Sequence, residues 1–231
     1  MSDNIVVLSG AGMSADSGLK TFRDEDGLWE GHDVMEVASP IGFSKNPDLV
    51  LDFYNQRRRQ LKEVKPNDGH IAIAQLEEHF KVTVITQNVD DLHERAGSSD
   101  VIHLHGELLR ARSIANPNLT MPWKEDLVMG QTAEDGYQLR PDIVWFGEEV
   151  PLLPMAAEIT SKAGVLIVIG TSLQVYPAAG LIHYASENIT KYYVDPNPSI
   201  DKNYCANLEI INMRSAIGVP ILVRDLIQKG L

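Results

Sequence analysis

Residues 4–18 read NIVVLSGAGMSADSG, an apolar β-branched run that breaks at once into closely spaced glycines. A strand entering such a turn commits the chain to cross into a helix, the first step of a layered α/β architecture. Gly10, Gly12 and Ala15 match the pattern G-x-G-x-x-G/A, with Ala11 between the glycines. In that pattern the backbone approaches a pyrophosphate at a helix N-terminus, and Ser14 adds a hydroxyl. The same turn also occurs for purely steric reasons. Its hydride-transferring version needs a second strand ending in Asp or Glu about 20 residues on. Here the chain enters TFRDEDGLWE, which is neither strand-like nor periodic. The turn therefore predicts a dinucleotide held in a different frame.

Further short runs of strand character cover 81–86, 101–104, 142–146, 165–169, 191–194 and 208–211. Several are nearly continuous in apolar residues, as strands buried on both faces are. Helical periodicity lies between them, as in Ile71, Ala74, Leu76 and Phe80, or Ile221, Leu222, Leu226 and Ile227. The pattern predicts an α/β fold, a doubly wound, parallel, Rossmann-like sheet carrying a small inserted lobe. We expect one domain over 1–231. Its large lobe comprises about 1–20, 67–107 and 142–231, and its small lobe the insertions at about 21–66 and 108–141. The first insertion holds a helix with Asn46 as N-cap and Pro47 in its first turn. The second is polar and without a long periodic pattern.

Charge and cysteine content narrow the function. Lys and Arg number 20 against 32 Asp and Glu, a formal net charge of −12. That balance argues against a nucleic-acid partner, and the run Arg57, Arg58, Arg59 is too short to reverse it. The single cysteine, Cys205, excludes an intrachain disulfide and a cysteine-built zinc site. No apolar run reaches ~18 residues, so no membrane span is expected. The N-terminal residues lack the basic segment of a signal peptide, and the expectation is a cytoplasmic protein.

Five segments in one order, GAGMSADSGLKTFR (10–23), TQNVDDLHERAG (86–97), HLHGEL (103–108), VWFGE (144–148) and GTSLQVYPAAG (170–180), resemble the sirtuins, NAD-dependent protein-lysine deacylases. Lys20 stands where that family usually has proline, and Asp195 where an asparagine is common. Gln87, Asn88, Val89 and Asp90 follow a strand end, the edge where α/β sheets bind ligands. Their amides suit ribose hydroxyls, and Asp90 suits the nicotinamide amide. An Asx turn capping the next helix is the competing reading. His103 and His105 are expected to alternate on one strand and face opposite sides. The HG context and the resemblance select His105 as general base, and Asn88 joins it as a catalytic residue. His93 reads as structural. Gly170, Thr171 and Ser172 end the most apolar strand and offer a second phosphate or ribose site. Asp195, Pro196 and Asn197 are expected at the adenosine ribose. Ser215 or Ala216 falls where the family lays its backbone against the adenine, and Ala216 is the contact we assign.

The resemblance further implies a reaction that consumes NAD as co-substrate. The acyl-lysine carbonyl oxygen attacks C1′ of the nicotinamide ribose as nicotinamide leaves. His105 takes a ribose hydroxyl proton, and water releases lysine and O-acyl-ADP-ribose. Phe22 would shield the emptied nicotinamide side and Arg23 would order its loop. Val144, Trp145, Phe146, Gly147 and Glu148 would form the channel for the acylated lysine of a protein or peptide. Tyr54 and Arg57, three apart on one helix face, resemble the pair by which some sirtuins accept succinyl- and malonyl-lysine. Arg58 and Arg59 read as a solvated basic face. Most sirtuins hold the second insertion with four cysteines on zinc, whereas 108–141 contains neither cysteine nor histidine, so no zinc is expected. An NAD glycohydrolase, an ADP-ribosyltransferase and a non-catalytic NAD or ADP-ribose module are the competing functions.

Overall fold

In a computed structural model, which describes residues 4–20 and 31–230, the apolar runs become a parallel sheet. The described strands are β1 (Asn4–Ser9), β2 (Lys81–Thr86), β3 (Val101–His103), β4 (Gly106–Ser113), β5 (Thr120–Pro122), β6 (Leu139–Ile143), β7 (Val165–Ile169), β8 (Thr190–Val194) and β9 (Leu208–Ile211). The helices are α1 (Gly12–Ala15), α2 (Val34–Val37), α3 (Pro40–Lys45), α4 (Pro47–Glu63), α5 (Asp68–Leu76), α6 (Leu92–Ala96), α7 (Leu153–Ser161) and α8 (Ser215–Lys229), with a 3₁₀ helix at Ala178–Tyr184. The expected roles of Phe22 and Arg23 lie outside the described residues.

Six strands pair in the order β3-β2-β1-β7-β8-β9, all parallel. Alternate residues of β1 serve opposite cores. Val6 and Leu8 pack with Ala156, Leu181 and Ile182 on one face. Ile5 and Val7 pack with Ile73, Leu76 and Leu222 on the other. Helices thus cover both faces, which is why the strands read as continuous apolar runs. Each fully buried aliphatic side chain contributes about 1.5–3 kcal/mol, so these two layers dominate the stability.

The expected strand at 142–146 is corrected. β6 begins at Leu139, ends at Ile143, and belongs to a second, antiparallel sheet of order β5-β4-β6. β4 lies largely inside the segment that showed no periodicity. Its register shifts between Glu107 and Ala111, so its buried residues fall at Leu108, Ala111 and Ser113, not at every second position. An irregularity of this kind erases the alternation that marks a strand.

α4 joins the two insertions. Asn46 caps it, its Oδ1 accepting from Leu49 N at 3.2 Å, a contact worth about 1 kcal/mol. One stripe of the helix faces the second insertion. Leu51 packs with Ala111, Leu127, Ala133 and Leu139. The Asn55 amide pairs both ways with the Leu127 backbone, donating to its carbonyl at 2.9 Å and accepting from its N–H at 2.8 Å. Arg58 is not solvated as expected: it is 1% exposed. Its Nε donates to the Leu108 carbonyl at 3.0 Å and its Nη1 to Asn55 Oδ1 at 2.7 Å. Burial lowers its pKa to about 10, which leaves it charged at neutral pH. The Arg59–Asp126 and Lys62–Glu125 contacts at 3.3 and 3.6 Å are exposed and contribute little beside these.

Candidate functional site

A cleft of about 580 Å³ opens at the carboxyl ends of the parallel strands. Residues following β1, β2, β7 and β8 line it, as this sheet type places its ligands. Gly10, Ala11, Gly12, Ser14 and Ala15 come from the first turn, Gln87, Asn88, Val89 and Asp90 from the second. Gly170, Thr171 and Ser172 follow β7, and Asp195 and Pro196 follow β8. The far wall carries Tyr54 and Arg57 of α4 and the run Val144–Glu148 beyond β6. His105 lies between the walls. Asn197 is off the wall, its N–H donating to Asp195 Oδ1 at 2.8 Å. Ser215 lines the cleft where Ala216 was assigned; Ala216 N instead donates to Asp16 Oδ2 at 3.3 Å.

The glycine turn also has a packing basis, the steric one. α1 is a single turn, and the amides of Gly10 and Gly12 are already spent on the carbonyls of Ile169 and Gly170 at 3.0 and 2.8 Å. A Cβ on Gly10 would stand 2.7 Å from Thr171 Cβ, and one on Gly12 2.7 Å from Gly170 Cα. These glycines let the turns after β1 and β7 touch, which brings two walls of the cleft together.

Hydroxyl and carboxylate groups form a buried chain behind that turn. Ser14 Oγ donates to Asp90 Oδ2 at 2.9 Å and accepts from Asn88 Nδ2 at 3.1 Å. Asp90 Oδ1 accepts from Leu92 N at 3.1 Å, so Asp90 makes the Asx turn and faces the cleft as well. Burial raises its pKa against the lowering effect of the Ser14 hydrogen bond. Sequence reasoning missed His70 of α5. Asn67 N donates to its Nδ1 at 3.3 Å, so the neutral ring carries its proton on Nε2, 3.5 Å from Ser14 Oγ. Burial pushes His70 down to about 4 and keeps it neutral. Its only signal in the sequence is Asn67 three residues before it, a capping box. His93 is buried, with Nε2 at 2.9 Å from Ser9 Oγ. Asp16 and Arg214, which pair at 3.1 Å on the cleft wall, were also missed.

β3 ends at His103, so the two histidines do not alternate along one strand; Leu104 and His105 form a turn before Gly106, whose φ is +81°. A Cβ at Gly106 would meet the Asp142 carbonyl at 2.0 Å, which ties the turn to β6. The two side chains still part, His105 lining the cleft and His103 not, by a turn and not by pleating. His105 Nδ1 lies 3.0 Å from the Gln87 carbonyl, so Nδ1 holds the proton and Nε2 the lone pair. Burial lowers its pKa, so the ring is neutral and basic at neutral pH.

His103 instead braces the cleft from behind. Its Nδ1 is 3.1 Å from the Asn88 carbonyl and its Nε2 is 2.6 Å from Glu94 Oε1. Burial alone would favour the neutral form of each group, but their hydrogen bond and mutual charge outweigh it, raising His103 and lowering Glu94. The pair therefore contributes fully above the ordinary carboxylate range and below about pH 6.5, and is lost as pH rises through the raised His103 value. His103→Gln should lower Tm clearly at about pH 6 and by less at about pH 9. A Tm difference that does not change with pH would show the ion pair to be without effect.

On the far wall, Trp145 Nε1 donates to the Tyr54 hydroxyl at 3.0 Å. Tyr54 is fully buried, and burial holds its pKa far above the ordinary phenol value, so it stays protonated. Glu148 accepts from Trp145 N at 2.8 Å and from Arg140 at 2.6 and 3.1 Å. Val144 N donates to the His105 carbonyl at 2.9 Å, joining this wall to the histidine. Among the described residues no cluster of His, Cys, Asp and Glu could hold a metal ion, and no helix is long and apolar enough to cross a membrane.

Comparison with known proteins agrees with this geometry. The model of the Sir2 family matches residues 10–177. An NAD-dependent protein deacylase of Helicobacter pylori is 59% identical over 225 residues, 97% of this chain and 98% of that protein. A solved complex of a Sir2 homolog with NAD is 36% identical, with a TM-score of 0.87 over 97% of this chain and 90% of its own. A Sir2 protein solved with a deacetylated peptide and 3′-O-acetyl ADP-ribose is 29% identical, with a TM-score of 0.78 over 98% of this chain and 93% of its own.

Proposed function

The chain belongs to the Sir2 family, and from that premise we infer that it is an NAD-dependent protein-lysine deacylase. One observation carries the inference: a neutral histidine stands in one cleft with the Ser14–Asn88–Asp90 chain and the Val144–Glu148 wall. The residues fit NAD, since Asp195 offers a carboxylate to a ribose diol and Asp90 an acceptor to a carboxamide. Bound there, NAD supplies a ribose C1′ electrophile with nicotinamide as leaving group. His105 Nε2 takes the ribose hydroxyl proton, while the Gln87 carbonyl holds its ring in the required tautomer. Asn88 orients the reacting ribose, and its own amide is fixed by Ser14.

The test is product analysis. Acetyl- or succinyl-lysine peptide plus NAD should yield nicotinamide, free lysine peptide and O-acyl-ADP-ribose by mass. NAD cleavage at the same rate without peptide would replace this reading with a glycohydrolase.

Three finer features belong to the same proposal. Tyr54 and Arg57 make the acyl pocket selective for succinyl- and malonyl-lysine, supported by their place on the wall facing the cleft. The protein works in the cytoplasm, where its single thiol needs no oxidising partner. The second insertion stands without zinc, supported by its contacts with Leu51, Asn55 and Arg58. Chelator treatment of purified, tag-free protein should change neither Tm nor turnover. A stoichiometric zinc whose removal unfolds the protein would overturn that.

A further inference from the structure

We propose that Trp145 determines acyl specificity by fixing which way the Tyr54 hydroxyl donates. The proposal rests on the reading of Tyr54 and Arg57 as the acyl pocket and adds the residue that orients it.

A phenol has one proton to give and lone pairs to accept with. The indole N–H, 3.0 Å away, takes the accepting side of Tyr54. An indole has no acceptor of its own, so this bond has only one polarity. Tyr54 therefore acts as a donor toward its remaining neighbours. Arg57, one helical turn along on the same cleft wall, is a donor at every pH. The two groups together suit an acyl chain that ends in an acceptor, and a carboxylate satisfies both. An acetyl group offers them nothing.

The indole is held from two sides. The Arg140 guanidinium lies over its ring, 3.2 Å from the centroid. Arg140 in turn is held by Glu148, whose Oε2 also accepts from the Trp145 backbone. Phe43 packs on the indole at 5.3 Å and Phe53 edge-on against Tyr54 at 5.2 Å. The indole cannot turn its N–H away without breaking this stack. Trp145 thus acts through Tyr54, as a positioning residue.

The experiment is a double-mutant cycle on the succinyl-to-acetyl ratio of kcat/KM. Trp145→Phe, Tyr54→Phe and the double variant are compared with the parent, with Tm recorded for each. Trp145→Phe should lower the ratio about tenfold, mainly by raising KM for the succinyl peptide. In the Tyr54→Phe background it should lower the ratio no further. Equal loss on both substrates, or a full additional loss in the Tyr54→Phe background, would overturn the role of Trp145. If Tyr54→Phe and Arg57→Met both leave the ratio at its parent value, the acyl-pocket reading itself falls. Should Trp145→Phe fail to fold, site-specific incorporation of benzothienylalanine at 145 alone, leaving the other two tryptophans intact, removes the N–H at nearly constant shape and reads the same ratio.

Discussion

His105→Ala is expected to lower deacylation turnover by about 10²–10⁴-fold, the usual cost of losing a general base. Affinity for NAD should stay within a few-fold of the parent, because the residues lining the far end of the cleft, Gly170–Ser172 and Asp195, do not depend on this side chain. The structure gives the expectation its sharpness. His105 projects from a turn, not from the sheet, and its Nδ1 is already committed to the Gln87 carbonyl. Removing the ring therefore deletes a base without uncovering a core. Calorimetric titration of NAD beside a single-turnover assay checks both halves. Near-parental turnover in the variant would reassign the base.

Arg57→Met should depress desuccinylation far more than deacetylation. A charge-assisted hydrogen bond is worth about 1.5–3 kcal/mol, and losing one lowers kcat/KM by about 10- to 150-fold. Methionine keeps the aliphatic stem but gives up the guanidinium and its contact with the Phe53 ring 5.7 Å away, a loss common to both substrates. The acetyl reaction should fall less than about threefold, since it has no distal charge to lose. Paired kinetics on the two peptides decide the matter, and equal losses would show that Arg57 does not read the acyl group.

The parallel sheet was readable because its strands are buried on both sides and so spell themselves as unbroken apolar runs. β4 was not, because the register shift between Glu107 and Ala111 destroys its alternation. The glycine motif carries a second constraint that its spacing does not display: its residues also serve the contact between two turns. Arg58 was misread because its partner, the Leu108 carbonyl, lies 50 residues away, and three consecutive arginines look alike until the fold separates them. His70 was overlooked for a related reason. A single histidine on an apolar helix carries no local mark of the serine it meets 56 positions earlier.

α4 carries two stripes. Leu51, Asn55 and Arg58 hold the second insertion, while Tyr54, Arg57 and Leu61 line the cleft. The stripes interleave, so a change of substrate preference written into this helix is also a change to the mount of the neighbouring sheet. A laboratory library randomising 54–58 would lose most members to unfolding before selection for a new acyl group began. Confined to 57, with the fully buried Tyr54 and with 55 and 58 left alone, the same effort searches a far smaller space in which far more members still fold.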